Sequence, residues 1–326
     1  MDTRHNSYRF LQGTFWGFVS AAFLCILLFC LSAGNMQETD MVPFLSQSKT
    51  DLISKATKPQ LVIVSGSNAH YGIDSKVLER DLDLPVVNAA LSAGFSWPYF
   101  EYYALQYLKK GDVVLMPLEA DLFAHPEYLN TVTITTAHVA GLGFFLSLDW
   151  LNKIEYIRLL EPKYIYSRLK KRFFPSRKKK LSNQYLLWKE AIRANGDVDN
   201  RIIEPIMKLE LHSTGTLDRP LDPQVSQLIC TSVQSLLKRG VRVIFTEANY
   251  YPLPEQAEGL FRMQDQISAF VRGCGAEYLS VPSRAVLALD DLLDTQYHPN
   301  HKAKIRRTEE LLSALCGMEG SLCRKK

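Results

Sequence analysis

Leu61-Val-Ile-Val-Ser-Gly66-Ser67-Asn68 runs four apolar residues straight into a Gly-Ser turn. An unbroken apolar run of this length, closed by turn residues, reads as a strand buried on both faces. Similar short runs recur at Pro85 to Asn88, Asp112 to Pro117, Val241 to Thr246 and Glu277 to Val281, and the first strand extends over Gln60 to Ser65. Amphipathic helical patterns lie between or after them, at Ile73 to Leu82, Trp97 to Lys109, Pro223 to Arg239, Glu255 to Arg272 and Lys302 to Leu315. Buried strands alternating with amphipathic helices predict an α/β fold with a parallel sheet covered on both faces. Ligands of such sheets sit beyond the carboxyl ends of the strands. Gly66-Ser67 lies at one such end, and Glu119 and Asp121 lie at another, just past Leu115-Met-Pro-Leu118.

A second segment, Asp294-Thr-Gln-Tyr-His298-Pro-Asn300, offers a carboxylate and an imidazole within one short loop. A serine hydroxyl is a poor nucleophile at neutral pH. It needs an adjacent base, and the base needs a third group to hold its tautomer and orientation. Ser67, His298 and Asp294 are those three groups if the fold brings them together, for hydrolysis of an ester or transfer of an acyl group. Each has a plainer reading as well. Gly-Ser-Asn after a strand is a common turn, Asn300 suits the N-cap of the last helix, and Asp290, Asp291 and Asp294 together form an acidic loop. His70 and His125 follow strand ends and read as surface or internally satisfied histidines, or as further groups at the same mouth.

The chain has 326 residues, 47% of them hydrophobic, which is ample for a core. Its formal net charge of +4 sets up no field that calls for nucleic acid, and no nucleic-acid-binding signature is present. No charged residue occurs from Phe10 to Gln37, and Phe15 to Ala33 is almost wholly apolar. At about 1.5 Å per residue that stretch matches the roughly 30 Å hydrocarbon core of a bilayer. Arg4 and Arg9 precede it, and Glu38 and Asp40 follow, which predicts an uncleaved anchor with its N-terminus inside. The expected layout is a cytoplasmic segment 1–9, an anchor 10–33, a polar stalk 34–59 and a soluble domain 60–326 outside the cytoplasmic membrane. Cys230, Cys274, Cys316 and Cys323 belong to the soluble part and allow three complete pairings. No cysteine pair has zinc-ligand spacing beside histidines, so neither a metal nor another cofactor is expected.

The ordered set Gly66-Ser67-Asn68, Val87-Asn88-Ala-Ala-Leu-Ser-Ala-Gly94, Lys110-Gly-Asp-Val-Val-Leu-Met-Pro-Leu-Glu119 and Asp294 with His298 resembles the SGNH (GDSL-like) hydrolase superfamily. It is most similar to the membrane-anchored bacterial branch tied to envelope polymers, which includes the alginate O-acetylation proteins and the D-alanine transfer protein of teichoic acids. The resemblance implies a flavodoxin-like three-layer sandwich. It makes Ser67 the nucleophile, His298 the base, Asp294 its orienting partner, and the amides of Ser67 and Gly94 the oxyanion hole. Asn68, Asn88 and Glu119 are candidate substrate contacts. Two departures stand out: Glu119-Ala-Asp121 replaces the usual third-block asparagine, and the aspartate lies four residues before the histidine rather than three.

Between Asp121 and Pro220 the alternation is lost, which predicts a large insertion after the third strand, over 122–219, of the kind that forms lids or substrate walls. It holds an apolar stretch, 140–151, and a basic one ending in Lys178-Lys179-Lys180, with no acidic residue between Glu161 and Glu190. Basic residues beside paired phenylalanines suit an anionic membrane or polymer, and also a solvated face. The expectation that follows is an acyl esterase or O-acyltransferase acting on a surface glycan, partnered by a polytopic membrane protein that delivers the acyl donor. The alternative is a non-catalytic relative that binds polymer or scaffolds an envelope assembly.

Overall fold

The computed structural model describes residues 3–36, 40–124, 128–174, 183–211, 219–320 and 322–324. His125 and the Lys178–Lys180 run lie outside them. The elements run α1 (Thr3–Ser32), α2 (Met41–Lys55), β1 (Leu61–Ile63), α3 (Ser67–Gly72), α4 (Ser75–Asp81), β2 (Val86–Asn88), α5 (Trp97–Tyr103), β3 (Val113–Met116) and α6 (Ala120–Ala124). There follow α7 (Thr131–Ala140), α8 (Gly143–Ser147), α9 (Trp150–Leu159), α10 (Pro162–Phe173), α11 (Asn183–Ala191) and α12 (Asn200–Ile203). The chain closes with α13 (Pro223–Lys238), β4 (Arg242–Thr246), α14 (Ala257–Gly273), β5 (Glu277–Leu279) and α15 (His301–Gly317). Two compact units result, Met1–Pro43 with Ile134–Lys180, and Phe44–Thr133 with Leu181–Lys326.

The second unit is built on a parallel five-stranded sheet in the order β2-β1-β3-β4-β5. This is the 2-1-3-4-5 order of flavodoxin-like doubly wound sheets, whose topological switch point lies between β1 and β3. All four residues of β3 are buried, so both faces of the central strand are covered. One face packs Leu61, Ile63, Val113, Leu115 and Ile244 against Leu78 of α4 and Leu311, Leu312 and Leu315 of α15. β1 and β3 begin where their apolar runs begin, at Leu61 and Val113. Helix starts follow local chemistry too: Asp74, Asp222 and Asn300 each cap the helix they precede by accepting from a backbone amide of its first turn. Disulfides join Cys230 of α13 to Cys274 after α14, and Cys316 of α15 to Cys323, which selects one of the three pairings.

Part of the expected stalk is helical. Residues 41–55 form α2, and Leu45, Lys49 and Ile53 are buried along one face of it. The i, i+4, i+8 spacing is that of a packed helix, and Gln60 Nε2 donates to the Ile53 carbonyl at 3.1 Å, tying its end to the edge of β1. No strand occurs between β3 and β4 among the described residues, which there form α6 to α13.

The first unit contains α1, whose segment Gln12–Ser32 has a mean hydropathy of 2.3 and is exposed from Gln12 to Leu28. It is long and apolar enough to cross a membrane as an anchor or to serve as a signal sequence. Its last turn packs within the unit: Phe29 lies 5.0 Å from Phe145 and 5.1 Å from His138 between ring centroids, and Ser32 Oγ shares a hydrogen bond of 2.7 Å with His138 Nε2. Burial, and then the charge of Arg168, push the His138 imidazole down to about 4.

Candidate active site

β1 ends at Ile63, and the chain turns through Ser65 and Gly66 into α3, which begins at Ser67. The turn is pinned from below. Asn68 Nδ2 donates to Ser65 Oγ and to the Pro117 carbonyl, both at 2.9 Å, stapling the end of β1 to the end of β3. Gly66 is required for space: a β-carbon there would lie 2.6 Å from Glu119 Oε2 and 2.6 Å from the Ala93 Cα. The first amides of α3, that of Ser67 included, have no partner within their own helix.

The Asp294–His298 loop folds back on itself, with the Leu293 amide donating to the His298 carbonyl at 2.8 Å and the Asn300 amide to the Asp291 carbonyl at 2.7 Å. Inside it, His298 Nδ1 meets Asp294 Oδ1 at 2.7 Å. A carboxylate only accepts, so in the neutral imidazole this contact selects the tautomer with its proton on Nδ1 and its lone pair on Nε2. The imidazole is held to α3 by Tyr71, whose ring centroid lies 4.3 Å from that of His298. Tyr71 is four residues beyond Ser67, one helical turn along the same face, or about 6 Å of rise. Ser67 and His298 therefore border one region, although no hydrogen bond joins them here. Asn200 Nδ2 bridges the two elements, donating to the carbonyls of Tyr71 at 2.9 Å and Pro299 at 2.8 Å. Burial, and then the charge of Asp294, push the Tyr71 phenol far up, so it stays neutral.

Glu119 is almost fully buried and accepts from the Asn68 amide at 3.3 Å. Burial raises its carboxyl above the ordinary range, opposed by hydrogen bonds from Asn68 and by His298. The other candidate contacts are spoken for. Asn68 is used as the staple. Asn88 is fully buried, donating to the Ala69 carbonyl at 3.1 Å and Asp197 Oδ1 at 3.0 Å, while its Oδ1 accepts from the Ala90 amide at 3.1 Å. Both side chains are engaged in hydrogen bonds at strand ends. The Gly94 amide donates to Ser92 Oγ at 3.2 Å, at the exposed rim of the site. His70 is a satisfied internal histidine: it is buried, its Nδ1 lies 3.0 Å from Lys49 Nζ, and burial with the neighbouring cations pushes it well below its ordinary value. Asp121 Oδ2 accepts from the Tyr297 hydroxyl at 3.2 Å.

Tyr71, Asn200 and the buried Asp197 shape the site without having been read from the sequence. Asp197 accepts from the Ser75 amide at 2.9 Å and its hydroxyl at 2.8 Å. The turn-rich run Asn195-Gly-Asp-Val-Asp-Asn200 is the signal that marks this stretch within the 122–219 region. A small cleft lies at the carboxyl ends of β3 and β4, lined mainly by Leu118, Ala120, Glu247, Tyr250, Leu260 and Tyr297. Ser67 and His298 do not line it, but Ala120 and Tyr297 are the chain neighbours of Glu119 and His298.

No family model matches this chain. No curated protein matches it either. Among solved structures it is similar to one described as a lipolytic protein of the G-D-S-L family from Desulfitobacterium hafniense DCB-2, with 10% identity and a TM-score of 0.37 over 79% of this chain and 100% of that one.

Proposed function

We propose that this protein is a membrane-anchored serine esterase or O-acyltransferase of SGNH type. The observation that carries the reading is the Asp294–His298 pair at 2.7 Å, packed through Tyr71 on the helix that Ser67 begins. His298 Nε2 takes the Ser67 proton as Oγ bonds to the acyl carbon. The leaving oxygen recovers that proton as its bond to carbon breaks, giving an acyl-serine. Water or a sugar hydroxyl, deprotonated by the same nitrogen, then attacks the acyl carbon and releases Ser67. In this reading the Ser67 amide holds the oxyanion, and such a donor contributes about 3 kcal/mol to transition-state stability. The Gly94 amide joins it only when Ser92 Oγ turns away.

The acyl acceptor proposed is an envelope glycan, reached from outside the cytoplasmic membrane with α1 as the anchor and with a polytopic membrane protein as the acyl source. Two disulfides favour an oxidising compartment, and the charges flanking the apolar span favour an inside N-terminus. A second reading, polymer binding without catalysis, is favoured by the engaged Gly94 amide and by a carboxyl group at Glu119 where the resemblance leads one to expect an amide. A serine-directed phosphonate separates the two. It should label the wild type and spare Ser67→Ala, and glycan acylation should be absent in a null strain carrying Ser67→Ala. Full acylation by that variant selects the binding reading. Reporter fusions after residue 60 test the topology, and a reporter there that is active only in the cytoplasm sinks the envelope substrate.

A further inference from the structure

Helix α9 carries apolar side chains on two faces. Tyr156, and Leu160 just beyond the helix, are buried within the first unit, whereas Trp150, Leu151, Ile154 and Ile157 are exposed, none by less than 52%. Positions 150, 154 and 157 recur at helical spacing, so they form one stripe. The buried face accounts for the folding of α9. The bare face needs a second apolar phase, because soluble surfaces rarely leave such a patch uncovered.

The same unit shows which phase that is. The last turn of α1 is fixed among these helices: Phe29 packs on Phe145, which in turn lies 5.2 Å from Tyr156 of α9, and Arg172 Nη1 of α10 donates to the Leu31 carbonyl at 2.9 Å. Lys153 of α9 lies over the Phe145 ring at 5.9 Å. The preceding length of α1, from Gln12 to Leu28, is exposed as it leaves the unit. On the reading of α1 as an anchor, the membrane surface lies where α1 leaves, and α9 adjoins that place through Phe145.

We propose that α9 is an interfacial helix, with Trp150, Leu151, Ile154 and Ile157 seated at the boundary between headgroups and acyl chains of the bilayer that α1 crosses. Tryptophan suits that boundary because its ring is apolar and its N–H is polar, and Lys153 extends its ammonium toward headgroups from beside the stripe. A helix held this way gains its affinity from buried apolar area and from anionic lipid. It gives the first unit a second attachment besides the span and restricts its rotation about α1.

The test uses the full chain in nanodiscs of phosphatidylethanolamine and phosphatidylglycerol, with Cys25→Ser and Cys30→Ser removing the free thiols. Spin labels are placed singly through Ile154→Cys, Trp150→Cys and, as a reference within the span, Ala22→Cys. Accessibility to oxygen and to a nickel chelate is read at each. The expected result is oxygen exceeding the chelate at positions 150 and 154, and by a wider margin at 22. Chelate access at 150 and 154 with a lipid reading at 22 overturns the interfacial helix and leaves the anchor standing. Shielding of 150 and 154 from both reagents means that protein, such as a second copy, covers the stripe, and also overturns it. Chelate access at 22 overturns the anchor reading, and this proposal with it.

Discussion

Gly66 and Glu119 are in contact across the mouth of the sheet: the Glu119 carboxylate fills the space that a side chain at position 66 would need, with Oε2 2.6 Å from where its β-carbon would stand. The residue before the candidate nucleophile thus has no side chain because a buried carboxyl group stands beside it. The φ of Gly66 is −75°, open to any residue, so the restriction is one of room and not of backbone angle.

Gly66→Ala is therefore expected to destabilise the protein by roughly 1–3 kcal/mol, the range for overpacking a filled interior. Ala93 blocks one escape and Glu119 the other. Gly66→Ala combined with Glu119→Ala should recover much of the loss, because the second change vacates the space. Urea denaturation in detergent measures both, and strictly additive losses would show that the two residues do not compete for the site.

Glu119 also gives the stability a pH signature. Its carboxyl is raised in the folded protein, chiefly by burial, so between its ordinary value near 4.5 and the raised one the folded state holds more protons than the unfolded state. Stability then falls as pH rises through that window and is level above it. Glu119→Gln removes this fall. The variant should gain on the wild type as pH rises from about 4.5, with the two converging in acid. A difference that stays constant across the range would place an ionised, unperturbed carboxylate at position 119.

Lys49 gives the opposite sign. Its ammonium is buried, chiefly lowered by that burial to about 7 against 10.5 in the open. Between these values the unfolded chain binds the extra proton, so the wild type gains stability as pH rises from about 7 toward 10.5. Lys49→Met lacks that gain. Its stability relative to the wild type is best at pH 6 and falls at pH 9, readable by denaturation at the two values.

Lys49 also shows where sequence reading stopped. The stripe Leu45, Lys49, Ile53 has the period of a packed helix, but the Ser, Gln, Lys and Thr around it lower the apolar signal, and a buried lysine reads as solvent-facing until its acceptors, the Ala90 carbonyl and His70, are seen. The strands were legible because a strand buried on both faces has no polar position to blur it. The Asp294–His298 pair was legible because the two groups lie only four positions apart in one loop. The fates of Asn68 and Asn88 were not, because an amide engaged by its own chain and one offered to a ligand have the same sequence. Nor were Tyr71 and Asn200, which act through contacts distant in the chain.

The proposed triad makes the last prediction. With Asp294 ionised, His298 keeps its proton on Nδ1 and its lone pair on Nε2, the arrangement that accepts the Ser67 proton. In Asp294→Asn the new amide nitrogen donates, stabilising the other tautomer and leaving Nε2 protonated and useless as a base. The expected loss in kcat/KM on a simple acetyl ester is on the order of 10⁴, the size seen when a triad histidine is held in the wrong tautomer. Ser67→Ala and His298→Ala should each lose at least as much, and the Ser67→Ala, His298→Ala double variant no more than either, since members of one catalytic unit do not add. Stability of Asp294→Asn is to be checked alongside, because the loop keeps its backbone bonds from Leu293 and Asn300 and should stay folded. A folded Asp294→Asn within tenfold of wild-type kcat/KM would mean that the 2.7 Å contact positions a loop and no proton, and the acyl-transfer mechanism would lose its base.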